Sequence, residues 1–349
     1  MGLVEEMLKY GEKFKSKKNK SKMKILITGG AGFIGSHLSE KYLESGDEVH
    51  IIDDVSTGSL DNIKHINENK NFSDNFYVTI DTILNEERMC ELIEDCDKVI
   101  HLAAAVGVKT ILYKPLDSIN TNVLGTEIVL KYCNKFKKKV LVASSSEVYG
   151  KQNKAPLVET DDVTYGSSDK LRWSYAVAKL MDEFTALAYY REKNLPVLIV
   201  RFFNIVGPRQ TGRYGMVIPT FIKQALSGEP LTVHGKGTQT RTFTHVDEVC
   251  DCIVKLMETQ NAVGEIINIG GVEEISIKDL AERIIKKTGS ESKIKFIPYN
   301  EVYTPDFEDM PRRVPSTEKL KSILGFAPKK ELNTILDDVI HYFKNNKIQ

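Results

Sequence analysis

Short apolar runs alternate along this chain with longer stretches in which apolar residues recur at helical spacing. Runs at 25–27, 49–52, 76–80, 98–105, 140–143 and 197–203 read as strands, because each is brief, rich in Val, Ile and Leu, and bounded by polar or small residues. Between them, a periodic segment through His37, Leu38 and Tyr42, and others at 86–93, 118–131 and 173–193, read as helices. Strands that regularly give way to helices predict an α/β fold built on a doubly wound parallel sheet. In such a sheet, ligands sit beyond the carboxyl ends of the strands, where Gly30, Asp53, Asp81, Ala103 and Ser144 fall.

Beyond Gly207 the alternation fades and glycines and prolines cluster, from Gly207-Pro208 through Gly237. This predicts a dinucleotide-binding domain over 23–205 and a smaller, mainly substrate-binding lobe over 206–349, with the chain crossing between them. The polar segment 151–172 is longer than a connection needs and reads as a binding loop or lid. Residues 1–22 read as an appended, partly disordered basic arm, with Leu3, Val4, Met7 and Leu8 at helical spacing before a lysine-rich run. No small-residue cleavage site follows, and Glu6 stands where a myristoylation motif starting at Gly2 wants Ser or Thr. A helix that docks on a membrane surface or a partner is the alternative for this arm.

The 349 residues are 41% hydrophobic, enough for one large or two medium domains. Lys plus Arg and Asp plus Glu number 48 each, a balance that argues against a nucleic-acid partner. No stretch reaches the roughly 18 apolar residues of a membrane helix. Cys90, Cys96, Cys133, Cys250 and Cys252 show neither a disulfide framework nor a paired CxxC zinc spacing, so they read as thiols of a cytoplasmic protein that holds no metal.

The first strand runs into Thr28-Gly-Gly-Ala-Gly-Phe-Ile-Gly35. Gly30, Gly32 and Gly35 fit G-x-G-x-x-G, while Gly29, Gly32 and Gly35 fit G-x-x-G-x-x-G. Either register frees the backbone to turn and lets a pyrophosphate approach a helix N-terminus, which marks a Rossmann-type dinucleotide site. The second strand ends in Asp53-Asp54, near the offset at which an acid bonds the adenosine ribose hydroxyls. An acid there repels a ribose 2′-phosphate, which favours NAD over NADP. The alternative is a strand-to-helix turn that binds nothing.

Tyr175 and Lys179 stand four apart on a predicted helix and share one face. An ammonium beside a phenol favours phenolate, so the spacing predicts a Tyr175 pKa drawn down towards neutrality and a usable general base. Ser144-Ser145-Ser146-Glu147 follows a strand and offers hydroxyls to the same substrate oxygen. A surface lysine over a half-buried tyrosine is the plainer account of the pair alone.

Over roughly 23–328 the chain resembles an extended short-chain dehydrogenase/reductase of the nucleotide-sugar epimerase/dehydratase family. The motifs are T-G-G-A-G-F-I-G, Asp53-Asp54, H-L-A-A-A, Asn122-Val123, S-S-S-E-V-Y-G, Y-A-V-A-K, R-F-F-N-I-V-G-P-R and R-T-F-T-H-V-D-E. The resemblance implies Tyr175 as base, with Lys179 as its electrostatic partner and a ligand of the nicotinamide ribose. Ser145, with Ser146 and Glu147, completes the implied catalytic group. Gly29, Gly32, Phe33, Ile34, Gly35, Asp53, Asp81, Leu102, Ala103, Ala104 and Asn122 are implied NAD contacts. Arg172, Asn204, Val217, Arg241 and one of Arg312 or Arg313 are implied contacts of a nucleotide-diphosphate sugar, most simply a UDP-sugar. The family also implies a homodimer packed through the helices of Asn122 and Tyr175, for which Leu180, Phe184 and Leu187 form a candidate face; that face could equally pack on its own sheet.

The implied chemistry starts with oxidation at sugar C4 and then branches. A 4,6-dehydratase places Asp-Glu before V-Y-G, whereas this chain has Ser146-Glu147. Ser146-Glu147 and Arg172-Trp173 resemble the UDP-glucuronate decarboxylase branch, in which Arg172 would meet the substrate carboxylate and Glu147 would manage the C5 proton. A solvated arginine and a structural acceptor are the plainer roles for those two. A UDP-sugar 4-epimerase is the second reading, and an NAD-sensing binder without catalysis the third.

Overall fold

The computed structural model describes residues 21–107, 113–152, 154–212, 216–302, 308 and 310–346; the predicted arm lies, but for its last two residues, outside them. The sheet's strands are β1 (Lys24–Thr28), β2 (Glu48–Asp53), β3 (Phe76–Ile80), β4 (Lys98–His101), β5 (Lys139–Ser145), β6 (Val197–Phe202) and β7 (Ile266–Ile269). They are all parallel and stand in the order β7-β6-β5-β4-β1-β2-β3. Strand order reverses between β1 and β4, which opens a crevice at their carboxyl ends.

Both faces of the sheet are covered, which explains the unbroken apolar runs. In β1, Ile25 and Ile27 pack into one core with Leu38 and Tyr42 of α1 (Phe33–Glu44), while Leu26 enters the opposite core with Val129 and Leu130. Helices α2 (Asp61–Asn67), α3 (Glu86–Asp95), α4 (Pro115–Phe136) and α5 (Ser174–Lys193) follow in order. Asn85 caps α3 by accepting from the Arg88 N–H at 3.2 Å. Helix α4 outruns its predicted span at both ends, from Pro115 at its first turn to a left-handed Lys137. Conversely, the fourth strand ends at His101, earlier than predicted. Its continuation is held by side chains instead: Ala103 N–H donates to Thr28 Oγ1 at 3.1 Å and Ala105 N–H to Asn122 Oδ1 at 2.8 Å.

The smaller lobe carries α6 (Val217–Leu226), α8 (Ile277–Thr288) and α9 (Leu332–Asn345) around its own core. Between α6 and α8 the chain returns to the large sheet, laying α7 (Val246–Glu258) into the α1 core and adding β7 beside β6. Cys250 and Cys252 are buried in that core. Segment 151–172 is a pinned strap. Leu157 N–H donates to Val314 O and Ser316 N–H to Leu157 O, while Glu308 accepts from Lys151 and from the Trp173 indole.

The candidate dimer face divides. Leu180 packs on Val148, Tyr149, Leu157 and Phe203, and Leu187 joins the sheet core, whereas Phe184 is 61% exposed. Spacings of four and three put the three residues on one side of α5, but the packing there separates them, and Val177 and Met181 are the exposed companions of Phe184.

Helix α5 is tied to the sheet by a buried pair: Arg201 Nε and Nη2 donate to Glu183 Oε1 and Oε2 at 2.9 and 2.7 Å, and Ser144 Oγ donates to the same Oε1 at 2.5 Å. Arg201→Met is expected to lower stability by about 3–5 kcal/mol, because it strands the Glu183 carboxylate in the interior. Denaturant unfolding measures this, and the double variant Arg201→Met/Glu183→Met should recover much of the loss.

Candidate active site

A cavity of about 720 Å³ lies between the carboxyl edge of the sheet and the smaller lobe. Its first half is a cradle for a dinucleotide. Gly29 has φ +72, and a Cβ on Gly35 would stand 2.3 Å from the Gly29 carbonyl oxygen, so α1 starts against a bare turn. Gly29, Gly32 and Gly35 line the cavity, whereas Gly30 packs against Ile51. The G-x-x-G-x-x-G register therefore faces the cavity. Gly32 opens α1 without a side-chain cap, and Phe33 and Ile34 line the cavity beside it. Asp53 is buried at the end of β2 and accepts from Ala31 N–H at 3.0 Å and Val55 N–H at 2.8 Å; burial pushes its pKa up. Glycines a Cβ would crowd, an uncapped helix start and a strand-end acid together fit a dinucleotide.

Leu102 and Ala104 also line the cavity, but three predicted cofactor residues do not. Asp81 accepts from Thr82 N–H and Asn85 Nδ2 of its own turn at 2.7 Å each. Ala103 packs into the sheet core, and Asn122 is buried in α4, where it holds the backbone of Ala105. Asn122 acts on the cavity through that backbone.

The second half gathers Ser145, Ser146, Glu147, Arg172, Tyr175 and Lys179. Ser145 Oγ accepts from Glu147 N–H at 3.2 Å and so starts the turn Ser146–Tyr149 that sets the glutamate in place. Arg172 occupies the turn Leu171–Trp173 that runs directly into α5. The Glu147 carboxylate lies between two guanidinium groups, Arg172 Nη2 at 2.5 Å from Oε2 and Arg313 Nη1 at 2.8 Å from Oε1. Burial opposes its charge, yet Arg172 and Arg313, with Arg241 farther off, hold the carboxyl down at about 2. Tyr175 corrects the expectation from spacing. Burial pushes its phenol above the ordinary value, and Lys179 offsets only part of the shift.

Asn204, just beyond β6, reaches the cavity, as do Val217, Arg241 and Arg313 of the smaller lobe, together with His234, Gln239 and Tyr299. Asn204 Nδ2 donates to Thr242 O at 2.9 Å. Of the adjacent arginines, Arg313 lines the cavity and Arg312 does not. Arg312 points outward, where its Nε and Nη2 donate to Glu274 at 2.7 Å each, and strand alternation sends its neighbour inward. Arg313 pairs in register with Arg241.

Arg209 escaped the sequence reading. It lines the cavity from the smaller lobe at φ +68 and spans to the other side, with Nη1 donating to Asn62 O at 3.2 Å and Nη2 paired with Glu40. Its Gly-Pro-Arg context was visible, but the partners on α1 and α2 are far away in sequence. Asp182, 3.1 Å from Lys179 Nζ, was missed for the opposite reason, as one more charge on a charged helix.

Residues 26–339 match the family described as GDP-mannose 4,6 dehydratase. The chain belongs to that family. It is thereby an enzyme of the extended short-chain dehydrogenase/reductase type, and its relatives carry several reactions. A UDP-N-acetyl-alpha-D-glucosaminuronate decarboxylase of Bacillus cytotoxicus is 43% identical over 93% of this chain and 98% of its own. A UDP-glucuronic acid decarboxylase 1 of Xenopus tropicalis is 34% identical over 95% of this chain and 74% of its own. Among solved structures, a UDP-glucuronic acid 4-epimerase of Bacillus cereus, in complex with UDP-glucuronic acid and NAD, superposes with TM-score 0.82 at 33% identity, covering 93% of this chain and 99% of that one.

The Glu147 ion pairs make a pH-dependent contribution to stability. Because the folded pKa is depressed, that contribution is present above the unfolded value of about 4.3 and fades as pH falls towards 2. The stability difference between the native chain and Glu147→Gln should thus be largest near neutrality, on the order of 3 kcal/mol at most, and shrink between about pH 5 and 2. Denaturant midpoints across that range check it.

Proposed function

We propose that this enzyme decarboxylates a UDP-hexuronate with NAD as cofactor, and that UDP-N-acetylglucosaminuronate is the first substrate to try. The observation that carries the reading is the Arg172–Glu147–Arg313 cluster beside Tyr175 and Ser145 in one cavity. A dehydratase of this family needs an acid at the position of Ser146, and a hydroxyl does not serve. Two guanidinium groups already gripping a carboxylate are matched to a substrate carboxylate. The choice of the acetamido sugar rests on the 43% identity to the Bacillus cytotoxicus enzyme, against 34% for the glucuronate enzyme of Xenopus.

In this reading Ser145 and Tyr175 hold the C4 hydroxyl, and Tyr175 takes its proton. A nicotinamide dinucleotide would supply the hydride acceptor for C4 and, in its oxidised form, a positive charge that adds to that of Lys179. The resulting C4 ketone lies β to the carboxylate, so the C5–C6 bond can break with loss of carbon dioxide, its electron pair moving into a C4–C5 enolate. A substrate carboxylate that takes the arginines releases Glu147, whose carboxyl is then no longer held down and can carry the proton that C5 takes up. Arg241 and Asn204, which line the same cavity, would bind the diphosphate.

A 4-epimerase is the second reading, favoured by the superposition on the Bacillus cereus enzyme. We also infer a homodimer through α4 and α5, where Leu116, Leu124, Val177, Met181 and Phe184 are exposed. The five free cysteines suit a reducing, cytoplasmic setting. Among the described residues no helix is long and apolar enough to cross a membrane.

Incubation with NAD and either UDP-N-acetylglucosaminuronate or UDP-glucuronate, read by mass spectrometry and NMR, should show loss of carbon dioxide. An unchanged mass with C4 inverted would replace decarboxylation by epimerisation. Tyr175→Phe should lower kcat by about 10²–10⁴-fold, and full turnover would remove Tyr175 from the reaction. Met181→Glu/Phe184→Glu should convert the dimer into monomers by light scattering.

A further inference from the structure

Helix α5 buries more charge than the Tyr175–Lys179 pair requires. Lys179 is 3% exposed and Asp182 1% exposed, and the lysine Nζ donates to Asp182 Oδ2 at 3.1 Å. The second oxygen, Oδ1, is buried and meets no hydrogen-bonding partner among the described residues. A carboxylate placed this way is expensive unless a cation compensates it, and Lys179 is the cation in contact. Packing alone gives no reason for it, since an apolar side chain of similar size would fill the space without the cost of burying a charge.

We propose that Asp182 is a positioning residue for the oxidation step: it keeps Lys179 charged and aimed at Tyr175, and by opposing the lysine's field it sets the pH range in which Tyr175 works. Placement supports this. Tyr175, Lys179 and Asp182 lie at i, i+4 and i+7 on one helix face, so Lys179 stands between the other two along the helix. Lys179 is thereby held from behind while its front faces the cavity.

The other ionisable groups facing this trio are already committed. His101, from β4, is wedged between Thr28 Oγ1 at 2.8 Å and Thr126 Oγ1 at 3.0 Å, and burial with the charge of Lys179 keeps it neutral, with a pKa of about 3. From α4, Thr126 faces Asp182 and does not titrate, its hydroxyl donating to Asn122 O at 2.7 Å. Glu183, on α5 itself, is paired with Arg201. Glu147, from the turn after β5, is paired with Arg172 and Arg313. Asp182 is what remains to balance Lys179. Burial works against the lysine's charge, and Asp182, then Tyr175 and Glu183, outweigh it and hold its pKa above the ordinary value.

Two effects in the same direction follow from removing the charge in Asp182→Asn. Lys179 loses its counter-ion, so its deprotonation moves to lower pH. While it stays charged, its field on Tyr175 is unopposed, so the phenol also ionises at lower pH. Both limbs of the kcat profile should therefore move down in pH, by about 1–3 units on the lysine side. Asp182→Glu, which restores the charge, should return the profile part of the way. A merely structural role would lower kcat at every pH and leave both limbs in place, and that result overturns the proposal.

The inference rests on Tyr175 and Lys179 running the oxidation, so the two failures must be separable. Full activity of Tyr175→Phe would sink that reading, whereas an inactive Tyr175→Phe with an unmoved Asp182→Asn profile would sink only the role of Asp182. One readout needs neither turnover nor a folded Asp182 variant. In native protein labelled with [ε-¹³C]lysine, the resonance absent from Lys179→Arg should titrate above the ordinary lysine value of about 10.4. Titration below it would show that Asp182 does not hold the charge, and would overturn the proposal.

Discussion

Charge burial on the inner face of α5 is the constraint around which this active site is arranged. The helix carries Lys179, Asp182 and Glu183 into a nearly dry interface, where an unmatched charge costs several kcal/mol. Each must therefore find its partner at a fixed place: Lys179 and Asp182 find each other, while Glu183 takes both arms of Arg201 from β6 and the Ser144 hydroxyl from β5. These contacts have directional geometry that apolar packing lacks. They lock the helix against the strand ends in the register that brings Tyr175 to Ser145, and the guanidinium of Arg201 also covers the ring of Tyr149 at 4.7 Å.

The smaller lobe is delivered to the same place by backbone pairing. The strap closes on 314–316 through Leu157, and the strand Arg312–Arg313 lies in register beside Thr240–Thr242. Those two pairings aim Arg313 at Glu147 and place it next to Arg241, so three arginines from distant parts of the chain converge on one carboxylate. Arg209 closes the opposite side by reaching Glu40 and Asn62. The cavity is thus walled by contacts between lobes, in keeping with a chain that crosses from one to the other and back to add β7.

What was legible in the sequence is what short-range physics decides. The glycine turn, the acid at the end of β2, the Tyr175–Lys179 spacing and the order of strands and helices all depend on neighbours within a few residues. Choices that depend on strand parity or distant partners were not. Arg312 and Arg313 are chemically identical, and only the partner strand says which points inward. Asp81 has the right position for a cofactor contact, but Thr82 and Asn85 compete for it locally. Leu180, Phe184 and Leu187 looked like one face because helical periodicity tolerates small angular errors, whereas the packing separates them. The Tyr175 pKa was misjudged because spacing shows the ammonium and hides the burial.

The position of Glu147 joins these strands of argument. A carboxylate held between Arg172 and Arg313 leaves the trio with a net positive charge, and Arg241 adds to it. In such a site the protein's own anion fills the arginine cradle, and the net positive charge favours a ligand that brings anions of its own. A neutral hexose would have to leave Glu147 where it is, since nothing in the sugar could replace the carboxylate in contact with two guanidinium groups. A hexuronate brings a carboxylate of the kind that two guanidinium groups accept, which is the exchange proposed above. The same ion pairs that hold Glu147 in place thus support the proposed preference for a carboxylated sugar.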